Sequence, residues 1–347
     1  MSTPQPDPRR SALEYLWGQY KVWDETSETY RKSLSRWRPW VLFMAILGGV
    51  LGALSTPGAL PFLSAWENWS KPPSTLGVLG GILLGLSAFF TRELLSPERE
   101  SRWVRARAAA EAFKREAYLM AAQAPPYEGA ITPASLDRAQ DLLATTSDMQ
   151  EVAIPEAKKR EELPRCPMTV SEYITGRLDD QMNKYYRVKA ASHARVVQRI
   201  RTATVVLGAA ALVLSYLISR EIGGVSVGIW VSVITAITSS LAAYLYARRL
   251  QYLVTSYLAA ARNLEALRAR WTTSGKTDAD TAERNQLILD CEKILSSENN
   301  SWISEWFKKE TPTGEATPGG GGAGTPGGGG GSTPGGGGSG SGASGGG

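Results

Sequence analysis

The sequence predicts an all-α membrane protein: two tandem transmembrane helical hairpins with long cytoplasmic helix extensions and a disordered Gly-rich C-terminal tail. Three observations carry that prediction. Four apolar segments occur, roughly Trp40–Leu54, Leu76–Phe90, Thr202–Ile218 and Val225–Tyr246. Lys and Arg gather on the same side of both hairpins. Stretches free of proline adjoin the apolar segments, so helices can run on from them into water. The mean hydropathy of −0.19 conceals the spans because the rest of the chain is polar.

A spanning helix needs about 20 predominantly apolar residues to cross a hydrocarbon core of about 30 Å. The fourth segment meets that length. Ser55–Leu63 and Phe89–Leu95 extend the shorter first pair, giving spans at about 39–57 and 75–95, followed by spans at about 202–219 and 225–246. The net charge of +5 matters less than its placement. Arg31, Lys32, Arg36 and Arg38 precede the first span, and Arg92, Arg99, Arg102, Arg105 and Arg107 follow the second. Arg187, Lys189, Arg195, Arg199 and Arg201 precede the third, and Arg248 and Arg249 close the fourth. The hairpin loops carry only Lys71 and Arg220 as bases. Cations stay on the cytoplasmic side of inserted helices, so both termini and the middle segment are expected in the cytoplasm, at the inner or plasma membrane. The same arginines suit anionic headgroups, at about 1 kcal/mol each near the surface. The bilayer is therefore the expected partner, and nucleic acid is not. About 38 residues precede the first apolar segment, too many for a cleaved signal peptide.

Residues 1–10 are Pro-rich and polar, and are expected to be disordered. The first module covers 11–123. Leu13, Leu16, Trp17, Tyr20 and Trp23 fall at helical spacing, and that helix leads, with a break, into the span beginning at Pro39. Ser96-Pro97 reads as a helix start, followed by a basic helix from about Glu98 to Met120 that Pro125-Pro126 stops. The stretch 124–168 is a cytoplasmic linker with one short helix from Thr132-Pro133 to Leu143. The second module covers 169–309. Thr169-Val170-Ser171-Glu172 matches a capping box, and no proline follows before Ile218. Such a helix of about 50 residues would be about 75 Å long. Gly223-Gly224 makes the turn to an equally long partner, Val225 to about Trp271. A last helix, about Thr277–Ser297, continues into Trp302–Phe307. The tail 310–347, with Thr-Pro-Gly at Thr317, Thr325 and Thr333, buries nothing and reads as a flexible tether.

The hairpins read as an internal repeat in the same orientation. Tyr30-Arg31 parallels Tyr186-Arg187, Leu47-Gly48 parallels Leu207-Gly208, and Ala108-Ala109-Ala110 parallels Ala259-Ala260-Ala261. No catalytic constellation accompanies them, so an enzyme is not expected. His193, the one histidine, sits on a basic helix with no nucleophile or orienting carboxylate at a defined spacing. Asp179 and Asp180 point about 100° apart on a helix, and Asp180 suits an ion pair with Lys184 better than a metal site. Cys166 and Cys291 are expected as reduced thiols. Two cysteines and one histidine do not furnish a zinc site, and no loop has the context for a cofactor phosphate.

Two patterns lie within the spans. Gly77, Gly81 and Gly85 recur every four residues and suit close helix packing, within the hairpin or between subunits. Ser232, Thr235 and Ser239 share a face of the fourth span with Gly228 and Ala242. That face suits either packing, with its hydroxyls bonded to the preceding turn, or a pore lining in an assembly. No span carries a charge at its centre, which argues against proton relays and voltage sensing. Trp37, Trp40, Trp66, Trp69 and Trp230 stand at the expected membrane edges as anchors.

The second half resembles the SLATT superfamily, bacterial two-span modules associated with SMODS nucleotidyltransferases and SLOG sensors. The resemblance is carried by Tyr173-x-x-x-Arg177, Gln181-x-x-x-Tyr185-Tyr186 with Lys189-Ala190, the hairpin, and Glu298-Asn299 with Trp302. About Ala12–Ala122 resembles a more divergent module of the same kind. The resemblance implies an effector of bacterial conflict or immunity systems, oligomeric and pore-forming or membrane-perturbing. It also implies a sensor or nucleotidyltransferase partner encoded nearby. The competing expectation is a non-conducting membrane scaffold or adaptor that recruits partners through its long helices and tail.

Overall fold

A computed structural model describes residues 7–56, 74–154, 162–219 and 227–307, and among these every regular element is helical. The Gly223-Gly224 turn, Trp66, Trp69, Lys71, Arg220 and the tail with its Thr-Pro-Gly steps lie outside the described residues.

Helix α1 (Pro8–Leu54) begins where the Asp7 side chain accepts from the Arg9 backbone N–H, with proline in the first turn. Residues 8–10 are therefore helical, not disordered. The Arg9 side chain donates to the carbonyls of Tyr127, at 2.8 Å, and Gly129. The expected break before the first span is also missing. Proline lacks an N–H and crowds the carbonyl four residues back, yet α1 runs through Pro39 as one rod of 47 residues. It packs along α3 before that proline and along α2 beyond it, and neighbouring helices can hold a proline within a helix in this way.

Helix α2 (Ser74–Leu94) is the second span. Ser96 and Pro97 start α3 (Pro97–Ala121) as expected, although the Ser96 side chain makes no capping bond. A 3₁₀ turn at Pro133–Leu136 leads into α4 (Asp137–Thr145). The linker is tied down: Ile154 N–H donates to Thr26 Oγ1 at 3.0 Å and Met168 N–H to the Ala121 carbonyl at 2.9 Å.

The capping box forms in full. Thr169 Oγ1 accepts from Glu172 N–H at 3.2 Å, and Glu172 Oε2 accepts from Thr169 N–H at 3.0 Å. It opens α5 (Val170–Tyr173), a π-helical stretch (Ile174–Tyr186) and α6 (Arg187–Ser219), which follow one another without interruption. The Arg187 N–H bonds the Met182 carbonyl, five residues back, which marks the wider winding. The buried positions Tyr173, Arg177, Met182 and Tyr186 share that spacing of four to five residues. Their partner is not one rod. Helix α7 (Val227–Ala247) ends at Arg248, and Arg249 adopts left-handed φ 47° before α8 (Leu250–Ser274). Gly275, at φ 66°, terminates α8, and α9 (Thr281–Phe307) closes the second module.

The core lies outside the spans. Leu13, Leu16 and Trp23 of α1, Val104 and Phe113 of α3, Tyr173 and Leu178, Leu264 of α8 and Cys291 of α9 are fully buried together. Each large apolar side chain so buried contributes about 1.5–3 kcal/mol. This extramembrane bundle draws on both modules, and the spans rise from it with their main contacts in the order α2, α1, α7, α6. Among the described residues four helices are long and apolar enough to cross a membrane, so the chain is a multi-pass membrane protein.

Candidate functional site

The spans expose most of their surface. In the apolar windows of the four spanning helices, in chain order, 17%, 11%, 0% and 0% of residues are buried. Val205, Leu212, Val213 and Tyr216 of α6 and Val78 and Phe89 of α2 stand outward. In water such a surface would collapse, whereas a bilayer or another copy of the chain can cover it.

Within the first hairpin the helices touch through glycine. A Cβ placed on Gly80 would sit 2.8 Å from the Gly48 carbonyl oxygen and 2.9 Å from the Gly52 nitrogen. One on Gly48 would sit 2.9 Å from the Gly80 oxygen. Ser87 Oγ, buried, donates to the Val41 carbonyl at 3.0 Å. Of the three glycines marked by their spacing, Gly77 meets Ser55 at 3.1 Å, while Gly81 and Gly85 have nothing within 4 Å. The intramolecular contact face runs Gly77, Gly80, Leu84, Ser87, not Gly77, Gly81, Gly85. A spacing of four drifts off a face that recurs every 3.6 residues, and Gly80 was hidden by the adjacent Gly81.

Ser232, Thr235 and Ser239 are all exposed on α7. Ser232 Oγ donates to the Gly228 carbonyl at 3.5 Å and Thr235 Oγ1 to the Val231 carbonyl at 2.9 Å. The stripe is thus turned away from the rest of the chain, and packing inside the hairpin does not use it.

The most developed chemistry lies in the bundle. Arg177, from the π-helical stretch, and Glu292, from α9, form a two-pronged ion pair. Nε reaches Oε1 at 2.9 Å and Nη2 reaches Oε2 at 3.0 Å, with both side chains 1% exposed. Tyr173 Oη donates to Glu292 Oε1 at 2.9 Å, and the guanidinium lies 4.9 Å from the Tyr118 ring centroid. Burial opposes the Arg177 charge, but Glu292 more than offsets it and holds the guanidinium protonated. Burial raises the Tyr173 hydroxyl well above the usual phenol range. A second contact follows along the same helices, Tyr186 Oη to Glu298 Oε2 at 3.4 Å. Burial pushes the Glu298 carboxyl up, against the pull of Arg107.

The motif residues Tyr173, Arg177, Tyr186 and Glu298 thus converge where the π-helical stretch meets α9. Glu292 was missed in the sequence, although the signal is there: a carboxylate inside the apolar row Ile288, Cys291, Leu295. A cavity of about 350 Å³ adjoins the pair, between α3 and α9. Arg115, Arg177 and Asn299 line it, and each has one buried polar atom with no partner among the described residues.

Asp180 pairs with Lys184 at 2.7 Å, as expected, and Asp179 with Arg268 at 3.2 Å. Cys166 and Cys291 are free thiols, and burial pushes the Cys291 thiol up to about 12. No group of His, Cys, Asp and Glu suited to a metal ion occurs among the described residues.

Residues 173–302 match the family described as SMODS and SLOG-associating 2TM effector domain 1. Residues 20–134 match a family described as a protein of unknown function, DUF4231. Comparison with curated proteins and with solved structures finds no match. The two family matches fall one on each hairpin with its share of the bundle, in tandem.

Proposed function

We propose that the chain, whose second hairpin matches the SMODS and SLOG-associating 2TM effector family, is built of two tandem SLATT-like modules and is a membrane effector of a bacterial conflict system that perturbs the membrane by assembling into a pore. The carrying observation is the uncovered outer face of α7, with Ser232, Thr235 and Ser239 in one row. In a homo-oligomer that row is available to line a water-filled path. Hydroxyls bonded to their own helix keep free lone pairs and can rotate toward water when it is present. The basic flanks orient both termini and the bundle to the cytoplasm. There a sensor or nucleotidyltransferase encoded nearby would supply the trigger, and the chain itself would be non-catalytic.

The test is permeability of proteoliposomes holding the full-length chain at several protein densities, read as dye release and ion flux. Release is expected to rise more steeply than linearly with density, and Ser232→Leu with Ser239→Leu is expected to cut it. Flux unchanged by that pair would remove the row from the pore. A second reading, a non-conducting scaffold, draws on the bundle, where the buried core and the ion pair of Arg177 and Glu292 are concentrated. Vesicles tight at every density, with a partner that co-purifies through the bundle, would favour it.

A further inference from the structure

A second cleft of about 350 Å³ opens where the bundle meets the spans, walled by α1, α3, the π-helical stretch, α6 and α8, so that both modules build it. The size is that of a small-ligand site. Its wall carries seven Lys and Arg against four Asp and Glu, and that excess is unevenly neutralised. Arg31 bonds Glu28 at 2.6 Å, but Glu28 is shared with Lys32 at 3.6 Å. Arg248 donates to the Tyr244 hydroxyl at 2.7 Å and has no carboxylate partner among the described residues. Lys189 makes no hydrogen bond or ion pair among the described residues, and Glu28 is the carboxylate that attracts it.

We propose that this cleft binds a phosphate-bearing anion, with Lys189, Arg31 and Arg248 supplying the positive charge. Phosphate oxygens accept charge-assisted hydrogen bonds from such groups, and the anion would relieve their mutual repulsion. Two neighbours report that repulsion. Burial and then Arg31 lower the Lys189 ammonium, and burial, Arg248 and Lys189 lower His193 to about 4. The phosphate can come from a soluble ligand or from a lipid headgroup. The cleft extends along α1 from Arg38, beside the first span, down to Tyr20. That is about 27 Å at 1.5 Å per residue, so its far end lies beyond a headgroup's reach while its near end does not.

Pyrophosphate is titrated calorimetrically into the full-length chain in phosphatidylcholine nanodiscs. In parallel, melting temperature is followed in nanodiscs with rising phosphatidylglycerol. Saturable binding is expected in at least one arm, weakened about tenfold by Lys189→Gln and restored by Lys189→Arg. Arg195→Gln, an exposed base on α6 outside the cleft, is expected to leave it unchanged. Binding in the first arm identifies a soluble source, and an effect in the second arm alone identifies the headgroup. No saturable effect in either arm, or equal weakening by Arg195→Gln, would overturn the proposal. The test does not depend on conductance, so it stands or falls separately from the pore.

Discussion

The two hairpins share a plan but are held differently. The first is locked: Gly48 and Gly80 bring backbones into contact, Ser87 crosses to the Val41 carbonyl, and the Trp37 and Phe90 rings lie 5.1 Å apart. In the second, Gly208 and Gly228 have nothing within 4 Å, and the hydroxyls of α7 bond their own helix. The aligned glycines Gly48 and Gly208 therefore do different work. The two modules share the hairpin but not the interlock. A module fixed within the chain suits support, whereas one whose faces remain uncovered suits contact with other copies. In lipid no hydrophobic force draws helices together, so this difference rests on packing and hydrogen bonds.

The comparison is broken most strongly from the bundle, where both hairpins are rooted. Arg177→Ala leaves the Glu292 carboxylate buried without its partner and is expected to cost about 3–5 kcal/mol, measured by denaturant unfolding in detergent. Replacing both with apolar residues of similar volume, Arg177→Met with Glu292→Leu, is expected to recover most of that loss. Next come Gly80→Ala and Gly48→Ala. The added methyl meets backbone atoms that cannot swing aside, so each is expected to destabilise the first hairpin by about 1–3 kcal/mol. The matched change Gly208→Ala meets open space and is expected to stabilise by about 0.5–1 kcal/mol, since alanine is the better helix former. Opposite signs at these aligned positions would sharpen the contrast, and equal signs would remove it. Smaller still is Ser87→Ala, about 0.6 kcal/mol for one hydrogen bond between helices in a membrane.

Much of this architecture was legible because it depends on local signals. Apolar runs with basic flanks mark the spans, and the Thr169–Glu172 box marks a helix start that forms as read. Ser96-Pro97 fixed another start even though the serine side chain makes no cap. What escaped depends on partners distant in sequence. Pro39 signals a break, and only α2 and α3 lying against α1 keep the helix whole. Arg249 carries no sequence signal for a left-handed residue, so α7 and α8 read as one. Gly80 and Gly81 are indistinguishable by composition, and their roles part only when α1 takes up its position. The tyrosines and Arg177 were noticed as a pattern, but their meeting with Glu292 spans 115 residues of chain.

The unbroken length of α1 makes it a lever. Its 47 residues measure about 70 Å, of which about 30 Å can lie in hydrocarbon and about 40 Å outside. A tilt of about 10° about the membrane edge, carried by a rod of those dimensions, swings the outer tip by about 7 Å and the inner end by about 5 Å. Modest torque on the bundle is thereby delivered to the first hairpin almost undiminished. In the second module α5, the π-helical stretch and α6 form a comparable rod, while Arg249 parts α7 from α8 much as Leu95-Ser96 parts α2 from α3. Each half is coupled to the bilayer through one rigid rod and one jointed arm.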